Sequence, residues 1–132
     1  MRSEKDVEAY LLKLNRRFSV VDDQPGTFLV RSSDDDGPHV ALRVDPPLVV
    51  VRVHIGDAPG PDNAALFRRL LELNARQLVH ASYGLEDDRI VLSAALELEN
   101  LDFNELQATL DEIDMALAQQ VPMLAGLNKK TA

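Results

Sequence analysis

The pattern of apolar positions predicts a helix at each end of the chain. Near the N-terminus, apolar residues recur every three or four positions, which predicts a helix over about residues 3–17 that Ser3 and Asp6 would cap. Towards the C-terminus, the same spacing runs through residues 103–124 and follows a second capping pair. This longer helix is expected to end or kink near Val121, because a proline follows.

Alternating apolar residues between turn signals predict short strands in the remaining chain. Pairing Val44 with Val49 places the apolar residues of the first clear hairpin on one face. Pairing Leu85 with Ile90 does the same for a later hairpin and would set Val79 opposite Leu96. The predicted strands lie at residues 19–22, 27–32, 39–44, 49–55, 79–85 and 90–96.

A second helix, predicted from residue 61 or 62 to about Arg76, is apolar around much of its circumference. Its apolar side chains cannot all point the same way, so either the helix is sandwiched inside the fold or part of it contacts another subunit. Unpaired strand edges are a further candidate contact site. The candidate dimer or partner contacts on this helix are Leu66, Phe67, Leu70 and Leu73.

The order of elements, α-β-β-β-β-α-β-β-α, predicts an α+β fold with helices packed on a largely antiparallel sheet. At 132 residues the chain fits one domain, expected over residues 1–125, with a flexible C-terminal tail over residues 126–132.

The net charge of -8 argues against binding to nucleic acid or to anionic membrane surfaces. The chain has no cysteine, and its charged N-terminus lacks the apolar stretch of a signal peptide. Its longest apolar run is far too short to span a bilayer. Together these features predict a cytoplasmic protein.

The sequence offers little catalytic chemistry. The hairpin register would set His39 beside His54, but two imidazoles fall short of a usual zinc site, so solvent-exposed surface histidines are the preferred interpretation. The acidic run Asp34–Gly37 does not fit a calcium loop, because its twelfth position would be Arg43 instead of glutamate. We expect no catalytic residues, no metal, no cofactor and no enzymatic activity.

The second half of the chain resembles the type III secretion chaperone-like families, including the YbjN-type domains. The resemblance lies in the helix around Leu66–Asn74, the strand Arg89–Leu96 and the helix start Leu101–Leu106. It covers residues 63–121 well and the first half in outline. The first half has an extra strand, so the assignment of its early strands to those of the family is open. The resemblance does not separate secretion chaperones from YbjN-type proteins.

This resemblance implies a non-catalytic protein-binding fold that often forms a homodimer, commonly with a contribution from the second helix. Secretion chaperones hold a partly unfolded segment of a secreted protein. The leading hypothesis is therefore a dimeric, chaperone-like domain that binds a segment of a partner protein. The alternative is a regulatory or sensory domain that binds a small ligand or a single folded partner.

Overall fold

The computed structural model describes residues 3–31, 38–58 and 62–127. The chain follows the predicted order of elements, with one further helical segment at the C-terminus. The elements are α1 (Glu4–Lys13), β1 (Phe18–Val20), β2 (Thr27–Arg31), β3 (His39–Asp45), β4 (Leu48–Asp57), α2 (Ala64–Arg76), β5 (Ser82–Glu86), β6 (Arg89–Glu97), α3 (Phe103–Met115) and α4 (Val121–Leu127).

The strands form a six-stranded sheet in the order β1-β2-β3-β4-β6-β5, and the neighbouring strands pair antiparallel. This arrangement confirms the α+β prediction. The predicted pairing of Val44 with Val49 is confirmed, and so is that of Leu85 with Ile90. Both hairpins therefore present their apolar residues to the same face of the sheet. Strand β1 forms one edge of the sheet, and strand β5 forms the other.

The hydrophobic core lies on the face of the sheet that the helices cover. Alternate residues of β4 and β6 are buried, as expected for strands with one face against a core. The helices contribute buried side chains to the same cluster, such as Leu11 of α1, Leu66 of α2 and Leu110 of α3. The capping pair Asp102 and Glu105 starts α3, and the Glu105 N–H donates to Asp102 Oδ1 at 2.8 Å.

Three local predictions need correction. Helix α1 ends at Lys13 and not near residue 17, because the chain turns at Asn15 through a left-handed conformation with φ of 58°. Strand β5 begins only at Ser82, so Val79 is not paired with Leu96. Val79 is instead 83% exposed, in the loop that joins α2 to β5.

The predicted end of the C-terminal helix near Val121 is wrong. The helical path continues past Pro122, because a π-helical turn, Ala116–Gln120, connects α3 to α4. In this wider turn the Val121 N–H donates to the carbonyl of Ala116. Pro122 lies in the first turn of α4, where a residue without an N–H is tolerated. The helical path continues through Gly126 to Leu127, and residues 128–132 of the predicted tail lie outside the described residues.

Candidate functional site

The main candidate site is a groove between α2 and β5, called here the α2–β5 groove. Its walls are almost entirely apolar, and it encloses about 270 Å³. Leu71 on α2 is 68% exposed beside it, and Leu85 on β5 is 52% exposed. Exposed leucines next to an apolar groove are typical of an interaction surface. The groove is lined by Phe67, Leu70, Leu71, Asn74, Tyr83, Gly84 and Leu85.

The four contact residues predicted on α2 do not form one surface. Leu66 and Leu73 are fully buried and Leu70 is 5% exposed, so these three side chains fill the core of the chain itself. Phe67 is partly buried and lines the α2–β5 groove. Of the predicted set, Phe67 and the small exposed part of Leu70 line the groove, whereas Leu66 and Leu73 do not. Participation of α2 in a dimer stays a prediction.

Sequence reasoning missed the importance of Leu71 and Leu85. The signal was present for Leu71, because α2 carries two adjacent apolar stripes. Leu66, Leu70 and Leu73 form the stripe that enters the core, while Phe67 and Leu71 form the stripe one residue further on. Such a double stripe on a helix indicates two separate contacts.

The edge of strand β5 is bonded to a side chain of α2. The Tyr83 N–H donates to Asn74 Oδ1 at 2.7 Å, and Asn74 Nδ2 donates to the Tyr83 carbonyl at 3.0 Å. The amide of Asn74 thus takes the place that a neighbouring strand would occupy at Tyr83. Since both polar groups of Asn74 are used in this way, the side chain adds little polar character to the α2–β5 groove.

The Tyr83 side chain joins the edge strand to the π-helical turn. Its hydroxyl donates to Gln120 Oε1 at 2.7 Å, and Gln120 is 2% exposed. Burial raises the pKa of Tyr83 to about 12. The π-helical turn places Gln120 in this buried position, so the unusual helix geometry and the polar contact depend on each other.

Glu112 of α3 binds the loop that leads into β5. Its carboxylate accepts N–H bonds from Val79 at 3.0 Å, His80 at 2.9 Å and Ala81 at 2.8 Å. Burial raises the pKa of Glu112, but the three N–H bonds and the nearby His80 outweigh this effect and leave the pKa below its ordinary value. Glu112 therefore holds three successive backbone amides in place.

The elements that form the α2–β5 groove carry their charges outside its lining. Arg68 and Arg76 are exposed on α2, and Asp87 and Asp88 are exposed in the turn that follows β5. Glu86 in the same hairpin forms an ion pair with Arg52 on β4.

Strand β1 forms the opposite edge of the sheet. The Val21 N–H donates to the Thr27 carbonyl and the Arg31 N–H to the Arg17 carbonyl, at 3.0 and 2.9 Å. These bonds turn alternate residues of this segment towards β2, so the main-chain groups of Phe18 and Val20 face away from the sheet. Val20 is also 48% exposed, which leaves an apolar side chain at this edge.

The backbone pairing that would set His39 opposite His54 is not formed. The β3–β4 pairing runs from Ala41–Arg52 to Asp45–Leu48 and does not reach His39 or His54. His54 Nε2 lies 3.8 Å from Asp57 Oδ1. Within residues 3–31, 38–58 and 62–127 there is no cluster of three or more possible metal ligands. The acidic run Asp34–Gly37 lies outside the described residues.

Among the residues that the structure describes, no helix is long and apolar enough to cross a membrane.

Comparison with protein families places the chain among known sequences. The CesT_Tir_1 model, which represents a type III secretion chaperone family, matches residues 1–130. No curated protein matches the sequence significantly.

Several solved structures share the fold. A chain in the heterodimeric ExoU–SpcU complex of the type III secretion system of Pseudomonas aeruginosa is 19% identical, with a TM-score of 0.66, and the match covers 95% of this chain and 99% of that one. YbjN from E. coli is 14% identical over 92% of both chains, with a TM-score of 0.68. A chain in the complex of the Yersinia pestis chaperone SycH with a YscM2 fragment is 17% identical, with a TM-score of 0.58, over 89% of this chain and 94% of that one.

Proposed function

Because the chain belongs to the CesT_Tir_1 family of type III secretion chaperones, we propose that it is a non-catalytic, chaperone-like protein that binds a segment of a partner protein as a homodimer. The observation that carries the proposal is the α2–β5 groove, an apolar surface with two exposed leucines on a chain with a complete core of its own. Such a surface is suited to contact another protein.

The dimer is proposed to form through the α2–β5 groove. Leu71 and Leu85 flank the groove and lose contact with water when a second chain covers them. Full burial of a leucine side chain contributes about 1.5–3 kcal/mol, so the two leucines from each chain would supply a substantial part of the association free energy. A two-fold dimer uses the same groove on both chains and needs no other apolar surface.

The partner segment is proposed to bind at the β1 edge. The outward-facing main-chain groups of Phe18 and Val20 are arranged as an added strand requires, and the exposed Val20 side chain offers an apolar contact. Similar structures include chaperones in complex with proteins, such as the ExsC–ExsE complex and the HopA1–SchA chaperone–effector complex. An extended segment of a partner protein fits this edge better than a folded surface does.

A small-ligand role has less support. The α2–β5 groove is slightly smaller than the usual range of ligand pockets, about 300–1,000 Å³. Its polar side chain, Asn74, is held by two hydrogen bonds to the main chain of Tyr83 and is the one amide side chain in an otherwise mostly apolar lining.

The dimer is tested by light-scattering chromatography of the wild type and of Leu71→Asp. We expect the wild type to elute with the mass of a dimer and the variant to elute as a folded monomer. Leu12→Asp is the matched control, because Leu12 is similarly exposed but lies on α1. A monomeric wild type, or loss of the dimer in the control as well, would contradict a dimer through this groove.

Partner binding is tested by co-purification from the native host with the wild type and with Val20→Lys. A specific protein recovered by the wild type should be lost with the variant, because lysine at a strand edge opposes strand addition. Leu48→Lys is the control, since Leu48 is an exposed strand residue in the interior of the sheet. Equal recovery by all three proteins would place the partner elsewhere.

A further inference from the structure

Strand β5 ends the sheet, yet its exposed edge is only partly available for pairing. In an antiparallel strand, alternate residues direct their N–H and C=O groups away from the neighbouring strand. The bonds of Tyr83 to Asn74 show that Tyr83 faces outward, so Ala81 and Leu85 on either side share this direction. These three residues are the positions at which a further strand would pair.

Side chains from two helices occupy most of these positions. Asn74 of α2 bonds both main-chain groups of Tyr83. Glu112 of α3 accepts the Ala81 N–H at 2.8 Å, together with the two preceding amides of the loop. Two helices that are separate in sequence thus converge on the same edge, whereas at the β1 edge no such side-chain bond is found among the described residues.

We propose that Asn74 and Glu112 close the β5 edge, and that without them this edge pairs with the β5 edge of a second copy of this chain. Leu85 is 52% exposed beside this edge and would add an apolar contact between two such strands. A two-fold axis would set the two β5 strands antiparallel and join the two sheets. While the edge is closed, a second chain at the α2–β5 groove contacts side chains and does not pair with the main chain of β5.

The closure does not depend on the proposed dimer, because it concerns hydrogen bonds within one chain. Asn74→Leu is the test variant, since leucine has the same branching and number of heavy atoms as asparagine and removes both hydrogen-bonding groups. The matched control is Asn104→Leu, the same change at an exposed position of α3. Circular dichroism establishes that each variant is folded.

Two measurements are made on each folded variant. Amide hydrogen exchange at Tyr83 should be at least about tenfold faster in Asn74→Leu than in the wild type, and unchanged in the control. Light scattering should show that Asn74→Leu alone forms a two-chain species at a lower protein concentration than the wild type does. Adding Leu85→Lys should weaken this association, because a lysine on an edge strand opposes strand pairing.

Unchanged exchange at Tyr83 would show that Asn74 does not protect the edge. Faster exchange without tighter association would show that the packing of α2, and not the amide, excludes a second strand. Either result overturns the proposal, whether the wild type is a monomer or a dimer.

If Asn74→Leu fails to fold, Asn74→Asp provides the test. It keeps the acceptor for the Tyr83 N–H and loses the donor to the Tyr83 carbonyl, so tighter association is expected again, with a protected Tyr83 amide.

Discussion

The two edges of the sheet differ in how their main-chain groups are satisfied. At β5, the Asn74 amide binds both groups of Tyr83, and Glu112 binds the loop that precedes the strand. At β1, the groups of Phe18 and Val20 face outward, and the strand has only three residues. An exposed edge invites pairing with another chain, so proteins restrict it in different ways. Here one edge is closed by side chains, and the other is kept short.

This difference suggests a division of roles. The α2–β5 side offers apolar side chains and a closed backbone, which suits contact between folded chains. The β1 side offers backbone groups and one exposed valine, which suits an extended segment. A chaperone-like protein requires both kinds of surface if it dimerises and also holds a partner segment.

The largest effect is expected when the core stripe of α2 is changed instead of the groove stripe. Leu70→Asp should lower the free energy of unfolding by about 4 kcal/mol or more, because it places an unpaired charge in the core. Leu71→Asp should change the free energy of unfolding of the isolated chain by less than about 0.5 kcal/mol. Urea denaturation of both variants as monomers checks this contrast, and equal losses would mean that α2 has no separate outer surface.

A smaller effect is expected at the π-helical turn behind the β5 edge. Tyr83→Phe removes the hydroxyl that donates to Gln120 and leaves a buried acceptor without its partner. We expect a loss of about 1–2 kcal/mol in the free energy of unfolding. Tyr10→Phe is the control, because the Tyr10 hydroxyl also donates to a carbonyl, that of Leu101, at a less buried site. A loss at Tyr83 no larger than in the control would argue against a structural role for Gln120.

The loop before β5 should respond to pH. The pKa of Glu112 is lower in the folded chain than its ordinary value of 4.5, so its stabilising contribution is complete above pH 4.5 and is lost as the pH falls through the folded pKa. Glu112→Gln should cost about 1 kcal/mol at pH 7, a modest value because the side chain is partly exposed. The difference between wild type and variant should shrink below pH 4, and a constant difference would contradict the role of the charge.

The smallest effect on stability is expected at the β1 edge. Val20→Lys changes an exposed side chain and should alter the free energy of unfolding by less than about 0.5 kcal/mol. Thermal melting checks this value. A clearly larger loss would mean that Val20 belongs to the core, and the edge would then be less available than proposed.

The sequence predicted the framework of this fold well because its signals are local or nearly so. Hairpin registers follow from alternation, and the capped start of α3 follows from Asp102 and Glu105. The π-helical turn could not be predicted, because Pro122 alone indicated a break. The closing of the β5 edge depends on Asn74 and Glu112, which lie 9 and 31 residues from the main-chain groups that they bind. An asparagine or glutamate on a helix has no local signature of such a contact.

The candidate site was predicted only in part. The sequence shows that α2 has more apolar residues than one buried face requires. It does not show which apolar stripe faces the sheet, so the assignment of Leu66, Leu70 and Leu73 to a contact surface could not be checked. That choice depends on how α2 packs against β5 and α4, which is set by tertiary contacts.

The most direct test of the contrast between the two edges is residue-resolved amide hydrogen exchange of the wild-type chain. We predict strong protection at Tyr83, whose N–H is held by Asn74 at 2.7 Å, and rapid exchange at Val20, whose N–H faces outward. Exchange at Tyr83 as fast as at Val20 would show that the β5 edge is open, and the proposed division between a closed and a receptive edge would be wrong.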